Sequence, residues 1–552
     1  MQLTIKHSLL EGATAEDIFH AILNSRGYAD KKTQDLFLRP LPPTLKAIVD
    51  KTGIKPATLK SIRTLLDKHL VGGHDICVFG DYDADGITAT AIVWQALIKY
   101  SAGGKSRILP FIPDRHRHGY GLSVKAVKEI LAGDGFKTTK FPDFKPQLII
   151  TVDNGIVAND AVSELRKNKI DVVITDHHEI DVLPEANVIL HTKVTSGAGI
   201  AWILSLALLE ESEFAQNLID LATLGIVADM IPLTGINRDI VVEGLKKLSH
   251  TKRPGLLALY ASASLKEDAI STYTVSYQLS PRLNAAGRLA DPYDALRLLC
   301  ATSLTSATPL AQKINEHNTE RQTITDEAIS KASKESFSHK IVVVAGQYHE
   351  GVIGLVAGKL TEVTGKPAIV MSVKDEVIKA SARSVTGVNI TELLRSLKVP
   401  FLGLGGHAQA AGFSLDPSKL AEFTEELYAV ADTVILDEFL EKKMVIDAEL
   451  TSEQVTLTLA KLLNRLEPFG MGNPKPKFVL KNLSVIEDRA LGAGGKHHKM
   501  RLASGKSSLD LLLFNTKEKH PIQSVKTLVA TIDVNVWNER ESVQLIGSYV
   551  EV

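Results

Sequence analysis

The stretch VFGDYDADGITAT, from Val78 to Thr90, joins an apolar run to three aspartates at alternate positions. Asp81, Asp83 and Asp85 lie so close along the chain that their charges repel one another. Divalent metal ions relieve such repulsion, because Mg²⁺ and Mn²⁺ prefer carboxylate oxygens and Mn²⁺ also accepts imidazole. The stretch therefore predicts a buried strand that ends at a metal site.

The sequence around this stretch alternates short apolar runs with helical segments, from about residue 57 to residue 240. Continuous apolar strands separated by amphipathic helices predict a parallel, doubly wound sheet in an α/β domain. The apolar runs are DICVF (75–79), QLIITVD (147–153), DVVITD (171–176) and NVILH (187–191).

Metal-type side chains follow the first three of these runs and a fourth predicted strand within LGIVADMIPL (224–233), at the edge where open α/β sheets bind ligands. A single aspartate at such a position is more often a helix N-cap, so the prediction rests on the agreement of all four sites. A cluster of two ions needs one bridging carboxylate and several terminal ligands. The predicted ligands are Asp83, Asp85, Asp153, His177 and Asp229, with Asp81 and His178 in reserve.

The whole chain, 552 residues long, is predicted to contain three or four domains. A helical segment is expected first, then the α/β domain, then a helical connector that finishes in a long polar helix. A second α/β domain and a small β-barrel of the OB type follow. The predicted limits are 1–50, 51–250, 251–335, 336–432 and 433–552.

Composition indicates the cellular compartment of the protein but does not indicate its substrate. The formal net charge of −1 gives no global basic signature of the kind that a nucleic-acid coat protein carries. Cys77 and Cys300 stand in unrelated contexts, which fits a reducing cytoplasm. The start of the chain lacks the pattern of a signal peptide, and no apolar run approaches the ~18 residues of a spanning helix. We expect a soluble, cytoplasmic protein.

The motifs DYDADG, VDNG, DHH and VAD, in that order, resemble the DHH phosphoesterase superfamily, and within it the RecJ branch of single-stranded-DNA-specific exonucleases. Four later segments resemble that branch in the expected order, so the similarity runs from about residue 50 to the end. They are QLSPRLNAAGRL (278–289), KASARS (379–384), GLGGHAQAAGFSL (403–415) and EPFGMGNPKP (467–476). The resemblance implies a DHH domain, a helical connector, a DHH-associated domain and an OB-like nucleic-acid-binding domain.

The same resemblance implies a 5′→3′ exonuclease of DNA recombination and repair that hydrolyses single-stranded DNA with two Mn²⁺ or Mg²⁺ ions. It implies that Asp83 and Asp153 act directly in catalysis and that His178 orients a ligand or the substrate. A helicase and a single-strand-binding protein are the expected partners of a monomer. His118 departs from the pattern, since many relatives carry an acidic residue before GYG, and it leaves open how this loop meets the DNA end.

The second α/β domain is predicted to hold the substrate. Gly405 and Gly406 would expose backbone N–H groups, and a helix beginning after them would add partial positive charge for a phosphate. Ser381, Arg383 and His407 would add polar or charged contacts. The alternative is a glycine-rich helix entry with a buried histidine.

Two further segments are predicted to line the cleft between the domains. SPRLNAAGRL offers Arg282 and Arg288 as DNA contacts, with Arg282 favoured; the alternative for either is a surface charge. PDRHRHGYG offers Arg115 and Tyr120, which would bind the terminal phosphate or stack a base, unless this is a solvated basic loop. A basic stretch of the barrel, GGKHHKMR (494–501), would extend the groove.

Three other functions share parts of this pattern. A phosphodiesterase of cyclic dinucleotides or short oligonucleotides carries the same catalytic motifs but usually lacks the barrel and the EPFGMGNP segment. A manganese pyrophosphatase shares the fold without needing the extra domains. A non-catalytic single-strand-binding scaffold would be expected to have lost metal ligands, which this chain retains.

Overall fold

The N-terminal segment begins with a strand, although the sequence analysis predicts only helices there. The computed structural model describes residues 2–8, 12–115, 117–136, 140–266, 270–334, 337–492, 497–505, 507–514 and 521–552. Its first element, β1 (Gln2–Ser8), pairs in parallel with residues 443–449. The alternation of polar and apolar residues in QLTIKHS is the signal of a half-exposed strand. Three helices follow: α1 (Ala15–Ser25), α2 (Lys31–Leu38) and α3 (Leu45–Thr52).

The first α/β domain is built on a parallel sheet, as predicted. Its elements are α4 (Pro56–Val71), β2 (Asp75–Phe79), α5 (Ala84–Tyr100), β3 (Ile108–Phe111), α6 (Val124–Ala132), β4 (Pro146–Val152), α7 (Asn159–Lys167), β5 (Asp171–Asp176), β6 (Val188–His191), α8 (Gly197–Leu208), α9 (Glu213–Asn217), α10 (Ile219–Ala228) and α11 (Gly235–Ser249). The strands lie in the order β3-β2-β4-β5-β6, and every neighbouring pair is parallel.

Both faces of this sheet are covered. Ile76 and Val78 of β2 belong to a core that contains α5 and α8, whereas Cys77 and Phe79 belong to a second core with α6 and α7. Alternate residues of one strand therefore enter two different cores, which explains the continuous apolar runs. Polar side chains can gather only at the strand ends.

A helical connector joins the two α/β domains. Its elements are α12 (Pro254–Ser262), α13 (Thr272–Thr274), a π-helical turn (Val275–Leu279), α14 (Ser280–Leu289), α15 (Tyr293–Leu299) and the 29-residue α16 (Leu304–Ala332). Ala311 and Ile314 of α16 pack in the first domain, whereas Ala328 and Ala332 pack in the second. The long helix is therefore the predicted bridge.

The second α/β domain contains a mixed sheet of five strands in the order β10-β11-β9-β8-β7. Only the pair β7–β8 is parallel. The elements are β7 (Val342–Gly346), α17 (Ile353–Thr364), β8 (Ala368–Val373), β9 (Ile378–Arg383), α18 (Ile390–Arg395), β10 (Gly403–His407), β11 (Ala410–Leu415), α19 (Leu420–Val434) and α20 (Asp437–Leu440), with a 3₁₀ turn at Pro417–Lys419.

The segment GLGGHAQAAG forms a hairpin, so the expected helix after its glycines is wrong. Strands β10 and β11 pair in antiparallel fashion from Gly403 opposite Ser414 to His407 opposite Ala410. Ala411, Phe413 and Leu415 are buried at every second position, which is the period of a strand and not of a helix. The exposed strand β10 lies at the edge of the sheet.

The C-terminal domain is a closed, OB-like β-barrel, as predicted. Its elements are β12 (Lys443–Glu449), a 3₁₀ turn (Ser452–Gln454), α21 (Leu457–Asn464), β13 (Phe478–Leu491), β14 (His497–Ser504), β15 (Ser507–Leu513), β16 (Ser524–Trp537) and β17 (Arg540–Glu551). The strand order is β1-β12-β13-β14-β15-β17-β16, and an additional β13–β16 pairing closes the barrel. The predicted basic stretch lies partly outside the described residues, which resume at His497.

The two ends of the chain share one core. Phe19, Ile22 and Leu23 of α1 pack with Leu459 of α21 and Phe478 of β13. The N-terminal helices therefore cover the barrel, and β1 extends its sheet. Within the described ranges, no helix combines the length and the apolar character that crossing a bilayer requires.

Candidate metal centre

The aspartates of DYDADG lie where β2 gives way to α5. Asp81 is fully buried, and its Oδ1 accepts a hydrogen bond from the Tyr82 N–H at 2.7 Å. Asp83 is the N-cap of α5, with Oδ1 accepting from the Gly86 N–H at 2.9 Å. A Cβ on Gly86 would lie 2.5 Å from the Asp81 Cβ, so only glycine lets the helix begin this close. The N-cap bond uses one oxygen of Asp83, so capping and metal binding do not exclude each other.

Asp85 closes the N-terminus of helix α8. Its Oδ1 accepts from Ser196 Oγ at 2.8 Å and from the Ala198 N–H at 3.1 Å, and its Oδ2 accepts from the Gly197 N–H at 2.8 Å. The partial positive charge of a helix N-terminus stabilises a carboxylate. Helix α8 thus holds Asp85 in position beside the other acidic groups.

Asp153 follows β4 with its backbone in the left-handed region, at φ +62°. A Cβ on Gly197 would lie 2.3 Å from the Asp153 Cβ, so α8 must begin with glycine at this point. Asp153 Oδ1 is buried and accepts no hydrogen bond, although it lies 3.1 Å from His177 Nε2. Burial first, and then the charges of Asp85 and Asp83, raise the pKa of Asp153 well above its usual range. A bound cation would reverse that penalty.

His177 stands among three carboxylates. Its Nε2 lies 3.1 Å from an oxygen of Asp153, 3.6 Å from one of Asp229 and 4.0 Å from one of Asp85. Burial lowers the pKa of His177. The imidazole is therefore kept neutral, which is the form that binds metal.

Asp229 reaches the cluster from a helix and not from a strand, so that part of the prediction is wrong. The run LGIVA belongs to α10, and Asp229 is its C-cap. Helix α10 is buried on nearly every side, so its sequence is continuously apolar like that of a buried strand. Burial, and then the charges of Asp85 and Asp83, raise the pKa of Asp229 to about 8.

Three overlapping groups of ligand atoms result, and within each group all atoms lie within 4.8 Å of one another. The groups are Asp81, Asp83 and Asp153; Asp85, His177 and Asp229; and Asp153, His177 and His178. Asp153 joins the acidic group to the histidines. It is therefore the residue best placed to bridge two ions.

His178 is held between Asp176 and Tyr120. Its Nδ1 lies 2.7 Å from Asp176 Oδ1 and its Nε2 lies 3.0 Å from the Tyr120 hydroxyl. Burial opposes its charge, but the hydrogen bond and the charge of Asp176 outweigh burial and raise the pKa of His178 to about 9. In the metal-free protein this pKa favours the imidazolium at neutral pH, whereas the neutral ring would offer a nitrogen to an ion together with Asp153 and His177.

Three arginines from different parts of the chain act on one another, and one of them, Arg288, also feels the charge of Asp83. Burial and then the charges of Arg115 and Arg321 lower the pKa of Arg288 to about 10. Burial and then Arg115 lower the pKa of Arg383. Arg115 also lies over the ring of Tyr82, 5.6 Å from its centroid. Because like charges act on one another here, Arg115, Arg288 and Arg383 lie near one space between the two α/β domains.

Arg282 differs from these three in its contacts. Its Nε donates to Asn315 Oδ1 at 2.9 Å on α16, and its Nη1 donates to the Gln278 carbonyl at 2.7 Å. Its helix, α14, supports the DYDADG segment (81–86), since the Ala84 N–H donates a hydrogen bond to Asn284 Oδ1 at 2.8 Å. A Cβ on Gly287 would lie 2.4 Å from the Tyr82 carbonyl oxygen. The segment SPRLNAAGRL therefore joins α16 to the start of α5.

The second domain faces the metal centre with β9 and β10. Arg383 Nη1 donates to Ser381 Oγ at 3.1 Å, so the two predicted contacts form one unit. Lys193, and to a smaller extent His407, lower the pKa of Glu179, so His407 acts electrostatically on the DHHE segment (176–179). Gly405 and Gly406 lie on the exposed edge strand next to His407.

His118, the departure from the expected pattern, is a buried structural residue. Its Nδ1 accepts from the Asp114 N–H at 2.9 Å, and its Nε2 lies 2.8 Å from Glu129 Oε2. The histidine thus fixes the loop that carries Arg115 and Tyr120.

Comparisons with known proteins agree with this geometry. The chain matches the models of the DHH family, N-terminal domain, over residues 75–226, of the DHHA1 domain over residues 338–433 and of the RecJ OB domain over residues 446–548. It is 33% identical over 561 residues to the single-stranded-DNA-specific exonuclease RecJ of Bacillus subtilis, covering 98% of this chain and 68% of that protein. The chain belongs to the RecJ family.

Two solved structures of the family contain metal ions. RecJ from Thermus thermophilus in complex with Mn²⁺ superimposes with a TM-score of 0.82 at 27% identity, over 100% of this chain and 79% of that one. The same protein in complex with Mg²⁺ gives a TM-score of 0.77 at 25% identity, over 100% and 78% of the two chains. The donor set of this chain, carboxylates with a neutral imidazole, fits both ions. The buried Oδ2 of Asp81 and Oδ1 of Asp153, which accept no hydrogen bond from the described part of the chain, would provide oxygens for them.

The sequence analysis missed the residues that shape this RecJ-family site. Ser196 and Gly197 hold Asp85 and make room for Asp153. Asn284 and Gly287 hold the start of α5. Their signal was the small-residue runs TSGAG (195–199) and NAAG (284–287), which suit close backbone approach but specify no partner.

Proposed function

We propose that this chain hydrolyses single-stranded DNA from its 5′ end, as a metal-dependent exonuclease of recombination and repair. The observation that carries the proposal is the position of Asp153, which is shared by two groups of metal-type ligands, one of them containing Asp83, whose charge acts on Arg288. Such a site binds a phosphodiester while concentrating carboxylates for two ions. The polarity is the one that the family resemblance implies.

The proposed catalytic residues have different roles, and the charge state of each residue decides its role. Asp81, Asp83 and Asp153 would hold one ion, and Asp85, His177 and Asp229 the other. Asp153 would be shared by both ions, because its Oδ1 also lies 3.1 Å from His177 Nε2. Bound Mn²⁺ or Mg²⁺ supplies an activated water and neutralises charge on the phosphoryl oxygens. The three arginines hold the phosphates, and the His178 imidazolium donates a hydrogen bond or a proton beside them.

The later domains favour a polymer over a dinucleotide. The exposed edge strand with Gly405, Gly406 and His407 presents backbone N–H groups for a phosphate, and Ser381 and Arg383 lie on the same sheet. The barrel supplies an OB-type surface for the strand that has not yet entered.

Digestion of 5′- and 3′-labelled single strands, with Mn²⁺, Mg²⁺ or EDTA, tests the proposal. We expect the 5′ label to be released first as a mononucleotide, no release in EDTA, and little cleavage of the corresponding duplex. Faster hydrolysis of dinucleotides than of long strands would favour the short-oligonucleotide phosphodiesterase. Binding of single strands without cleavage in either metal would favour the scaffold.

We further propose that the protein acts as a cytoplasmic monomer, with a helicase to unwind duplexes and a single-strand-binding protein to hold the product. The two free cysteines fit a reducing compartment. A nuclease that acts on single strands needs duplex DNA to be unwound first and kept unwound, which supports both proposed partners. Sedimentation of the purified chain tests the monomer, and duplex digestion with and without an added helicase tests the coupling.

A further inference from the structure

Arg238, in the first turn of α11, is a buried arginine between the first α/β domain and the barrel. It is 2% exposed, and burial lowers its pKa to about 10, so the guanidinium stays charged at neutral pH. Ile236 and Ile240, beside it on α11, belong to the core of the first domain. Phe37 and Leu466 belong to the core that the N-terminal helices share with the barrel. A charge buried between two cores is costly unless hydrogen bonds compensate it.

The partners of Arg238 are backbone carbonyl oxygens of the barrel unit, which we define as the barrel together with α1 and α2. Its Nε donates to the Phe37 carbonyl at 2.9 Å, its Nη1 to the Leu466 carbonyl at 3.1 Å and its Nη2 to the Glu467 carbonyl at 2.6 Å. The guanidinium carbon also lies 3.8 Å from the centre of the Phe37 ring, in a cation–π contact. One side chain of the first domain therefore joins two separate segments of the barrel unit.

The residue before Arg238 connects the same helical turn to the metal centre. Asn237 is buried, and its Nδ2 donates to the Val194 carbonyl at 2.7 Å. Val194 lies two residues before Ser196, whose hydroxyl donates to the metal-type ligand Asp85. The first turn of α11 therefore contacts the support of the metal ligands through one residue and the barrel unit through the next.

The segment EPFGMGNP (467–474), to which the proposed reaction assigns no role, is part of the attachment point on the barrel side. Asn473 is 1% exposed, and its Nδ2 donates to the carbonyls of Leu466 and Pro468, both at 2.8 Å. The side chain of Asn473 thus closes the segment into a compact turn around the carbonyls that face Arg238. A guanidinium with donors in a fixed plane fits such a preformed set of acceptors.

We propose that Arg238 aligns the barrel unit with the metal centre, so that a strand bound on the barrel reaches the metal site in a fixed geometry. Arg238 acts through the barrel unit and is therefore a positioning residue. The inference rests on the proposed nuclease function and gives the segment 467–474 a role as the socket of this arginine. Two binding surfaces in a fixed geometry hold one ligand more tightly than either surface alone. Loss of the alignment should therefore weaken the binding of long strands and leave the hydrolysis step unchanged.

Substitution of Arg238 tests the alignment by kinetics. Arg238→Met removes the donors but keeps an apolar stem over Phe37, and Arg238→Lys keeps the charge without the planar fork. Each is assayed with Mn²⁺ on a long single strand and on the shortest strand that wild type cleaves. For Arg238→Met we expect KM to rise about tenfold on the long strand only, with kcat within about twofold of wild type on both strands. Arg238→Lys should give a KM between those of wild type and Arg238→Met.

Arg26→Ala is the matched control. Arg26 follows α1 and donates to the Asn473 side chain and, at 2.7 Å, to the Pro474 carbonyl, so it holds the same segment from within the barrel unit. Its removal should leave the KM of the long strand within about twofold of wild type, because the bond to the first domain remains. An equal rise of KM in Arg26→Ala and Arg238→Met would overturn the proposal, since the shape of the segment alone would then set the affinity.

Spin labels measure the alignment without substrate. Ser61 on α4 and Ser484 on β13 are exposed, and each is replaced by cysteine in the full chain after Cys77→Ala and Cys300→Ala. In EDTA, pulsed electron paramagnetic resonance should give one narrow distance distribution for this labelled protein and for its Arg26→Ala form. The distribution should broaden or shift when Arg238→Met is added.

The failure of the alignment and the failure of the nuclease function give different results. If wild type degrades single strands but Arg238→Met keeps the narrow distance distribution and the wild-type KM, Arg238 does not align the barrel. A loss of kcat that is equal on short and long strands also contradicts the proposal, because it places the defect within the first domain. If wild type cleaves no single strand, the nuclease function fails, while the spin-label distances still decide the role of Arg238.

Discussion

The two α/β sheets of this chain arrange their functional residues in opposite ways. In the first, parallel strands β2, β4 and β5 end at one edge and bring buried carboxylates together. In the second, the antiparallel strands β9, β10 and β11 present an exposed, glycine-rich edge with Arg383 and His407. The first edge is electrostatically unfavourable until cations bind, whereas the second leaves backbone groups open to solvent.

The difference shows how one cleft can assign hydrolysis of the substrate to one sheet and binding of the substrate to the other. Hydrolysis needs charge concentrated before the substrate arrives, and only the convergent ends of parallel strands concentrate it this closely. Holding a phosphate needs accessible N–H groups and cations, which an exposed hairpin supplies without burying charge. Substitutions at the first edge should therefore change the rate, and those at the second should change the affinity.

Removal of the bridging carboxylate is expected to have the largest effect. Asp153→Ala should reduce kcat by at least about 10³-fold in Mn²⁺, because neither ligand group keeps its shared oxygen. Affinity for single-stranded DNA in EDTA should stay within about threefold of wild type, because the arginines remain. The exposed Asp181→Ala serves as control. Wild-type turnover in Asp153→Ala would refute the bridging role.

Metal binding should stabilise the first sheet edge strongly. Mn²⁺ at 100 times its dissociation constant should increase the free energy of unfolding by about 2.7 kcal/mol per site, measured as a rise in Tm. Asp153→Asn should raise the Tm of the metal-free protein, because an amide does not carry the burial and like-charge penalty that raises the pKa of Asp153, and should reduce the shift caused by Mn²⁺. A metal shift equal to that of wild type would contradict the site.

The stability of the metal-free protein should decrease as the pH rises from about 4 to about 8. The folded-state pKa of Asp229 is about 8 against an ordinary value of 3.8, so in this range the folded chain keeps a proton that the unfolded chain releases. His178, with a pKa raised from 6.5 to about 9, acts in the same direction at the upper end. Mn²⁺ should stabilise more as the pH rises, because fewer protons compete for the carboxylates. Tm values in EDTA that increase across this range would contradict the raised pKa of Asp229.

The sequence predicted the first edge better than the second, and the reason is local. An apolar run followed by aspartates specifies both a buried strand and its chemistry within a few residues, as in VFGDYDADG. Asp229 is a predicted ligand and lies in a group with Asp85 and His177. Its helix is predicted as a strand, because a helix buried on nearly every side lacks amphipathic periodicity.

The second edge depends on contacts that no short stretch encodes. Whether GLGGHAQAAG forms a hairpin or precedes a helix is decided by its pairing with β9, which lies 20 or more residues earlier. The parallel pairing of β1 with β12 joins residues more than 400 positions apart. The orientation of Arg282 toward Asn315 depends on α16, and its charge alone did not reveal it.

Two arginines allow a comparison between a residue that binds the substrate and a residue that stabilises the protein. Arg383→Ala should raise KM about tenfold and lower the salt dependence of binding by about one ion, because it removes one phosphate contact. Arg282→Ala, the matched substitution, should lower Tm but change KM by less than about threefold, because its hydrogen bonds go to Asn315 and Gln278. An equal loss of affinity in both variants would support Arg282 as a DNA contact.

Two neighbouring glycines give the smallest and most local test of the second edge. Gly406 has φ +149°, and a Cβ there would lie 2.4 Å from the Ala410 carbonyl oxygen, so Gly406→Ala should destabilise the domain by roughly 1–3 kcal/mol. A Cβ on Gly405 would meet no atom within 4 Å, so Gly405→Ala should leave Tm unchanged. If the exposed backbone of β10 holds a phosphate closely, the added methyl group should still weaken binding of single-stranded DNA severalfold. Unchanged affinity in Gly405→Ala would show that the edge strand is structural, and that Arg383 holds the substrate without help from the backbone.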